Sequence, residues 1–262
     1  MNSAITTTSQ PVFSGRDIRM RRILSPATGR TLVVPLDHAI TMGPANGLES
    51  PETIISAAAR GGADAVMLRP GLTGCLSVPG AEKLGVIMAL TGRLATGVDH
   101  VQLNTVEHAA ALGADAVCGE FKFGSSGDLE NARVVALLAE RAHELGMPVM
   151  VTVYTRPEAE AALGKGAYAH ACRIAQEIGA DIVKTSLPDD EEIIRACVES
   201  TSVPIVLAGG PSGSATALHD FLRSTARLGV RGGAIGRRAW GAADPVAEIR
   251  RLAAAVHGGD DE

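Results

Sequence analysis

Of the 24 basic residues in this chain only four are lysine: Lys83, Lys122, Lys165 and Lys184. Lys184 has the setting that changes its chemistry. It follows Ile182 and Val183 in the apolar run Asp-Ile-Val-Lys-Thr-Ser, where strand alternation puts Ile182 and Lys184 on one face. If that face is interior, the ammonium is desolvated and its pKa falls. A neutral amine near neutral pH attacks a ketone to give an iminium, the electron sink that an aldol or retro-aldol step needs. The structural alternative is a stem that snorkels to the strand end and pairs with a carboxylate or a bound phosphate. Lys122 is the internal rival, but Glu120-Phe121-Lys122-Phe123-Gly124 reads as strand exit and loop, where solvent keeps the amine protonated.

Iminium chemistry also needs a proton donor and acceptor within hydrogen-bond reach. Tyr154, one of two tyrosines, ends the run Pro-Val-Met-Val-Thr-Val-Tyr, and Asp37 ends Pro-Leu-Asp-His. The structural readings are a rim aromatic for Tyr154 and a turn cap for Asp37. His38, Arg69 and Arg156 stand at other strand ends, where they can meet substrate, and a neutral structural imidazole is the alternative for His38. A phosphate signal comes from two consecutive glycine turns. Gly209-Gly210-Pro-Ser212-Gly-Ser leads into a helix, and Gly236-Arg237-Arg follows the last apolar run. Glycines let backbone N–H groups approach an anion, a helix start adds positive potential, and arginine adds charge-assisted bonds.

These residues need a frame that brings strand ends together. Eight short apolar runs begin near Thr31, Asp64, Gly85, Asp115, Pro148, Asp181, Val203 and Val230, at intervals of 21 to 33 residues. Amphipathic stretches lie between them, several ending in glycine, which is the pattern of repeated βαβ units and a parallel sheet. The poorest helix is Gly-Leu-Thr-Gly-Cys-Leu-Ser-Val-Pro-Gly-Ala-Glu-Lys-Leu before the third run, expected to be partly loop. Gly-Ala-Asp-x-Val recurs at 62–66, 113–117 and 179–183, each time entering an even-numbered strand. A period shared by alternate strands fits a closed (β/α)₈ barrel, an α/β TIM barrel, whose interior layers come from alternate strands. The first βα turn lacks the glycine fingerprint of a dinucleotide-binding open sheet. The expected organisation is an N-terminal arm over 1–28, a barrel over 29–257 and a tail over 258–262. In such a barrel reactive groups sit at the C-terminal strand ends, which is where the candidates above fall.

Composition narrows the class further. With 262 residues, 46% of them apolar, the chain can bury a large core. A net charge of −5 and only seven aromatic residues leave little material for binding a nucleic-acid backbone or stacking bases. The expectation is a cytoplasmic enzyme with no nucleic-acid or membrane partner. The four cysteines are scattered and show no metal spacing with histidine, so no metal and no cofactor are expected.

The motifs together resemble the class I aldolases of the archaeal fructose-bisphosphate aldolase and 2-amino-3,7-dideoxy-threo-hept-6-ulosonate synthase group. The resemblance spans roughly Ile18 to Arg250. It rests on the arm Arg-Asp-Ile-Arg-Met-Arg-Arg-Ile through Pro-Leu-Asp37-His38-Ala, on Val153-Tyr154-x-Arg156, on Ala180-Asp-Ile-Val-Lys184-Thr185, on Leu207-Ala-Gly-Gly-Pro211 and on Ala234-Ile-Gly-Arg237-Arg-x-Trp240. It implies a Schiff base on Lys184, proton transfer by Tyr154 and Asp37, and phosphate held by Gly209, Gly210, Gly236 and Arg237. It also implies a homo-oligomer, with a decameric ring among the assemblies. The arm is nearest the synthase branch and its actinobacterial aminohydroxybenzoate-pathway relatives, which join L-aspartate semialdehyde to dihydroxyacetone phosphate or a related ketose phosphate. Plain fructose-bisphosphate cleavage is the alternative activity, and a phosphate-binding isomerase or epimerase without a Schiff base is the second. Three departures stand out: Tyr154-Thr-Arg156-Pro for the family's Tyr-Pro-Arg-Gly, Leu68-Arg69-Pro-Gly for the branch's His-Lys-Gly, and Asp-His-Ala for Asp-His-Gly. They bear on the aldehyde acceptor more than on the Schiff base.

Overall fold

The computed structural model of the protein describes residues 14–96, 100–124, 126–210 and 213–258. Its strands are β1 (Thr31–Pro35), β2 (Ala65–Leu68), β3 (Gly85–Ala89), β4 (Thr91–Gly92), β5 (Val101–Gln102), β6 (Ala116–Phe123), β7 (Val149–Thr155), β8 (Ile182–Thr185), β9 (Ile205–Ala208) and β10 (Gly232–Ala234). The helices are α1 (Gly15–Ile23), α2 (Ala39–Met42), α3 (Pro51–Gly61), α4 (Val106–Ala111), α5 (Asp128–Glu144), α6 (Pro157–Leu163), α7 (Gly166–Glu177), α8 (Glu191–Ser200), α9 (Ala215–Arg227), α10 (Arg237–Trp240) and α11 (Pro245–His257). The eight expected strands close into a parallel barrel in the order β1, β2, β3, β6, β7, β8, β9, β10. The chain is a (β/α)₈ TIM barrel. The weak segment before β3 forms two short 3₁₀ helices, over Pro70–Leu76 and Ala81–Lys83, and an unanticipated antiparallel pair, β4 and β5, projects above β3.

Two cores follow from strand alternation. Residues pointing outward join the helices in the larger one. Those pointing inward, among them Val33, Ala65, Met67, Ile87, Ala116, Cys118, Met150, Ile182, Val206 and Ala234, fill the barrel. The face that Lys184 shares with Ile182 is therefore the interior one, with Ala65 and Met67 of β2 and Ala116 and Cys118 of β6.

The Gly-Ala-Asp repeat explains itself in three dimensions. Each glycine ends a helix at positive φ, at 83°, 85° and 105° for Gly62, Gly113 and Gly179, where a side chain would be strained. Each aspartate then accepts a backbone N–H from the neighbouring strand: Leu32 to Asp64 at 2.7 Å, Val86 to Asp115 at 2.9 Å and Val149 to Asp181 at 2.8 Å. Two of these carboxylates anchor α1 as well, since Arg22 pairs with Asp115 at 2.7 Å and Arg16 with Asp181. Ile23 ends α1 fully buried in the interior cluster, so the helix plugs the end of the barrel opposite the reactive strand ends. A Cβ on Gly85 would stand 2.2 Å from the Arg22 carbonyl oxygen, so glycine is what lets α1 lie this close.

β6 corrects one reading. Glu120, Phe121, Lys122 and Phe123 are strand, paired with β7 through Phe123 and Thr155, rather than strand exit and loop. Continuous pairing with the long β7 holds the segment extended, and alternation then turns Glu120 inward and Phe121 into the outer core.

Candidate active site

Lys184 and Tyr154 come together at the C-terminal mouth of the barrel because each occupies an inward position of its strand. Register aligns Glu120 with Thr152 and Thr152 with Lys184, so an acid from β6 and the lysine from β8 lie in one row across β7. Two chambers meet there. The larger, of about 510 Å³, is lined by His38, Tyr154, Lys184, Ser186 and the glycines and arginines of the last two loops. The smaller, of about 150 Å³, is lined by Asp37, Arg69, Arg93, His100 and Glu120. Lys184, Tyr154 and His38 face both.

In the larger chamber Gly209 takes a positive φ of 76°. A Cβ on Gly210 would stand 2.2 Å from Leu218 Cδ1 of α9, so glycine is needed for the turn to pack on that helix. Ser214 caps α9, its hydroxyl accepting from Ala217 N at 3.1 Å. Gly236 is equally constrained: a Cβ there would lie 2.9 Å from His38 Cε1 and 3.2 Å from Trp240 Nε1. His38 packs edge-on against Trp240 at 5.8 Å between ring centres, and Trp240 donates to the Pro35 carbonyl at 3.1 Å. Arg237 and Arg238 complete an anion-seeking wall beside backbone freed of side chains. Ser212 lies outside the described residues.

The smaller chamber is built on β4 and its neighbours. Arg69 donates one guanidinium nitrogen to the carbonyls of Ala89 at 3.3 Å and Thr91 at 3.1 Å, while its buried Nε has no partner among the described residues. Thr91 also accepts the Glu120 backbone N–H on its hydroxyl at 2.8 Å. His100, 7% exposed, holds the Glu120 carboxylate at 2.9 Å through Nε2.

Charge at the mouth reverses one expectation. Burial does push the Lys184 amine down, but the surrounding Tyr154, Asp37, Cys118 and Glu120 outweigh it and raise the pKa. Burial raises Tyr154 as well, against the pull of Lys184. The Lys184 Nζ lies 3.8 Å from Met67 Sδ. Burial, with Lys184 and Arg237, lowers His38 against the pull of Asp37, leaving a neutral imidazole. Burial pushes the Glu120 carboxyl up, but His100, Lys184 and Lys122 hold it below the usual range. Lys122 is lowered by burial and by the Arg93 charge, contrary to a fully solvated amine.

Of the residues singled out in the sequence, Asp37, His38, Arg69, Tyr154, Lys184, Gly209, Gly210, Gly236 and Arg237 line these chambers. Arg156 does not: it sits beyond the ends of β6 and β7, its N–H bonded to the Phe123 carbonyl at 2.8 Å and its buried Nε unpartnered among the described residues. Ser186 and Arg238, which follow Lys184 and Arg237 at their strand ends and belong to the same sequence signals, also line the larger chamber. Sequence reasoning missed Arg93 and His100. His100 carried no local signal, because it reaches the mouth through the pairing of β5 with β4.

A parallel barrel that converges a lysine, a tyrosine and carboxylates on an anion-binding wall is the architecture of an aldolase-type enzyme. The chain belongs to the DeoC/LacD family of aldolases, whose model matches residues 31–242. It is 32% identical over 248 residues, 93% of this chain and 92% of the relative, to a 2-amino-3,7-dideoxy-D-threo-hept-6-ulosonate synthase of Halobacterium salinarum. It is 27% identical over 247 residues, 92% of this chain and 90% of the relative, to a 2-amino-4,5-dihydroxy-6-oxo-7-(phosphonooxy)heptanoate synthase of Streptomyces griseus. Among solved structures it resembles an archaeal fructose-1,6-bisphosphate aldolase whose catalytic lysine is covalently bound to the carbinolamine intermediate of its substrate. That likeness has a TM-score of 0.81 and 25% identity, and covers 92% of this chain and 99% of that one. Its activity is of the class I aldolase type. Among the described residues, no helix is long and apolar enough to cross a membrane.

Proposed function

We propose that this enzyme joins a three-carbon ketose phosphate, dihydroxyacetone phosphate or a close analogue, to L-aspartate semialdehyde through a Schiff base on Lys184. The observation that carries the reading is the position of Lys184 between a larger anion-seeking chamber and a smaller one bearing both acidic and basic groups. The ketose enters with its phosphate against Gly209, Gly210, Gly236 and Arg237 and its carbonyl at Lys184. The ammonium first gives its proton to Asp37. The amine then adds to the ketone carbon, and Tyr154 donates the proton with which the carbinolamine hydroxyl leaves as water. Loss of a proton from the neighbouring carbon gives an enamine, which attacks the acceptor's aldehyde carbon. The new alkoxide takes a proton, and water hydrolyses the iminium to free the product and Lys184.

The product named for the Streptomyces relative fits this disconnection. Breaking its chain between carbons four and five leaves a four-carbon amino aldehyde and a three-carbon ketose phosphate. Arg69 meets the acceptor's carboxylate in the smaller chamber.

The test is borohydride reduction with dihydroxyacetone phosphate, followed by peptide mass spectrometry, and product analysis with L-aspartate semialdehyde in the absence of borohydride. A reduced adduct on Lys184 and a seven-carbon amino-ketose phosphate are expected. No adduct with this ketose phosphate or with fructose bisphosphate would refute the Schiff-base assignment, and an adduct without the seven-carbon product would refute the acceptor.

A further inference from the structure

We propose that Glu120, held by His100, is the residue that selects an aminated acceptor: its carboxylate receives the acceptor's ammonium group while Arg69 receives the carboxylate. This rests on the reading above that the smaller chamber is the acceptor site, and it names a selectivity that the chamber's charge distribution supplies.

Four features support it. Glu120 occupies an inward position of β6, one row with Lys184, and so overlooks the carbon that an acceptor at Lys184 must present. It is fixed from two directions, its carboxylate by the nearly buried His100 at 2.9 Å and its backbone by the Thr91 hydroxyl at 2.8 Å. It is ionised, since His100, Lys184 and Lys122 overcome the effect of burial. Arg69 is steadied through the same residue, donating to the Thr91 carbonyl at 3.1 Å, and carries a buried Nε that no described group satisfies. Thr91 thus ties an anion and a cation into the lining of one small chamber. A molecule bearing both an ammonium and a carboxylate satisfies both groups, whereas a semialdehyde without the amine leaves the Glu120 carboxylate desolvated with His100 alone.

His100 acts through Glu120. It holds the carboxylate at the angle that faces the chamber and takes no part in bond making, so it is a positioning residue. It stands immediately before β5, which makes the pairing of β4 with β5 a specificity element of the enzyme.

The experiment compares kcat/KM for L-aspartate semialdehyde with that for succinate semialdehyde, which has the same carbon chain without the ammonium. Saturating dihydroxyacetone phosphate is used with the wild-type enzyme, Glu120→Gln and His100→Gln. Taking the ratio within each variant removes any effect the substitution has on Lys184 itself. The wild type should prefer the aminated substrate by roughly 10- to 150-fold, the range for one hydrogen bond to a charged group. Glu120→Gln should reduce that preference to within a few-fold of unity, and His100→Gln should reduce it partway. A wild type that makes product from L-aspartate semialdehyde, with a ratio that both variants retain, overturns this proposal and leaves the acceptor assignment standing. A wild type that forms the Lys184 adduct but no product with L-aspartate semialdehyde overturns the acceptor assignment and this proposal with it, and is recognised before any variant is made.

Discussion

Gly92→Ala is the substitution that most cleanly separates the two chambers. The backbone at Gly92 lies in the short strand β4, and φ there is not in the left-handed region, so alanine adds volume without conformational strain. That volume is the perturbation: its Cβ would lie 2.8 Å from Arg69 Nη2, 3.0 Å from Nη1 and 3.0 Å from Leu103 Cδ1. All three are ends of movable side chains, so the enzyme should stay folded, with a loss of no more than about 1 kcal/mol, as for substitutions that avoid a core void. The guanidinium, however, cannot stay where it is. Its bonds to Ala89 and Thr91 are at 3.3 and 3.1 Å, already at the long end, and swinging away breaks both and carries the donors off the acceptor's carboxylate. One charge-assisted hydrogen bond contributes about 1.5–3 kcal/mol, so kcat/KM for L-aspartate semialdehyde should fall roughly 10- to 150-fold. On the proposed reading the ketose phosphate sits in the other chamber, whose lining does not include Gly92, and its borohydride trapping rate should change less than about 3-fold, as for independent sites that couple by about 0.5 kcal/mol or less. Single-turnover trapping and steady-state acceptor kinetics on one preparation read both numbers. Equal losses in the two assays, or none in either, would refute the assignment of Arg69 to the acceptor side.

Other expectations follow from the same geometry. Lys184→Met should abolish the borohydride adduct and lower turnover by at least about 10³-fold, because the nucleophile is removed; an adduct that persists would move the Schiff base to another lysine. Removing a neighbouring negative charge lowers a lysine's pKa, so Glu120→Gln should shift the acidic limb of the trapping rate to lower pH, and an unmoved or upward-shifted limb would contradict the charge balance given for the mouth. Because Lys184 titrates higher folded than unfolded, its contribution to stability is complete below the unfolded value of 10.5 and is lost as pH rises through the folded one, which thermal scans between neutral and strongly alkaline buffer would detect. Ile23→Ala should cost about 2–5 kcal/mol by opening a void in the barrel's plugged end, seen as a melting point lower by roughly 2–4 °C per kcal/mol. Gly85→Ala should act through the same helix, so the double variant should lose less than the sum, and strict additivity would argue against a shared docking effect.

The barrel itself was legible in the residues. Period-two alternation, the glycines that end helices and the aspartates that follow them are local signals, and each aspartate proved to clamp the start of an adjacent strand. The inward face of Lys184 was readable for the same reason: alternation is a property of the strand alone. Strand length was harder. The charged and aromatic composition of Glu120 through Phe123 suggests a loop, yet pairing with β7 keeps it extended, because ladder hydrogen bonds override a weak local preference.

What the sequence could not decide was the balance of forces at the mouth. Burial of Lys184 was foreseeable and taken alone predicts a neutral amine. The net direction depends on Tyr154 from β7, Asp37 just beyond β1, and Cys118 and Glu120 from β6, which only closure of the barrel brings into its field. His100 is a sharper case, since nothing in its neighbours along the chain marks it, and its 2.9 Å contact with Glu120 exists because β5 pairs with β4, which lies against β6. Element type and facing arise from neighbours a few residues apart, so sequence carries them. Charge coupling falls off with distance in space rather than along the chain, so only the tertiary structure could say which charges share the site.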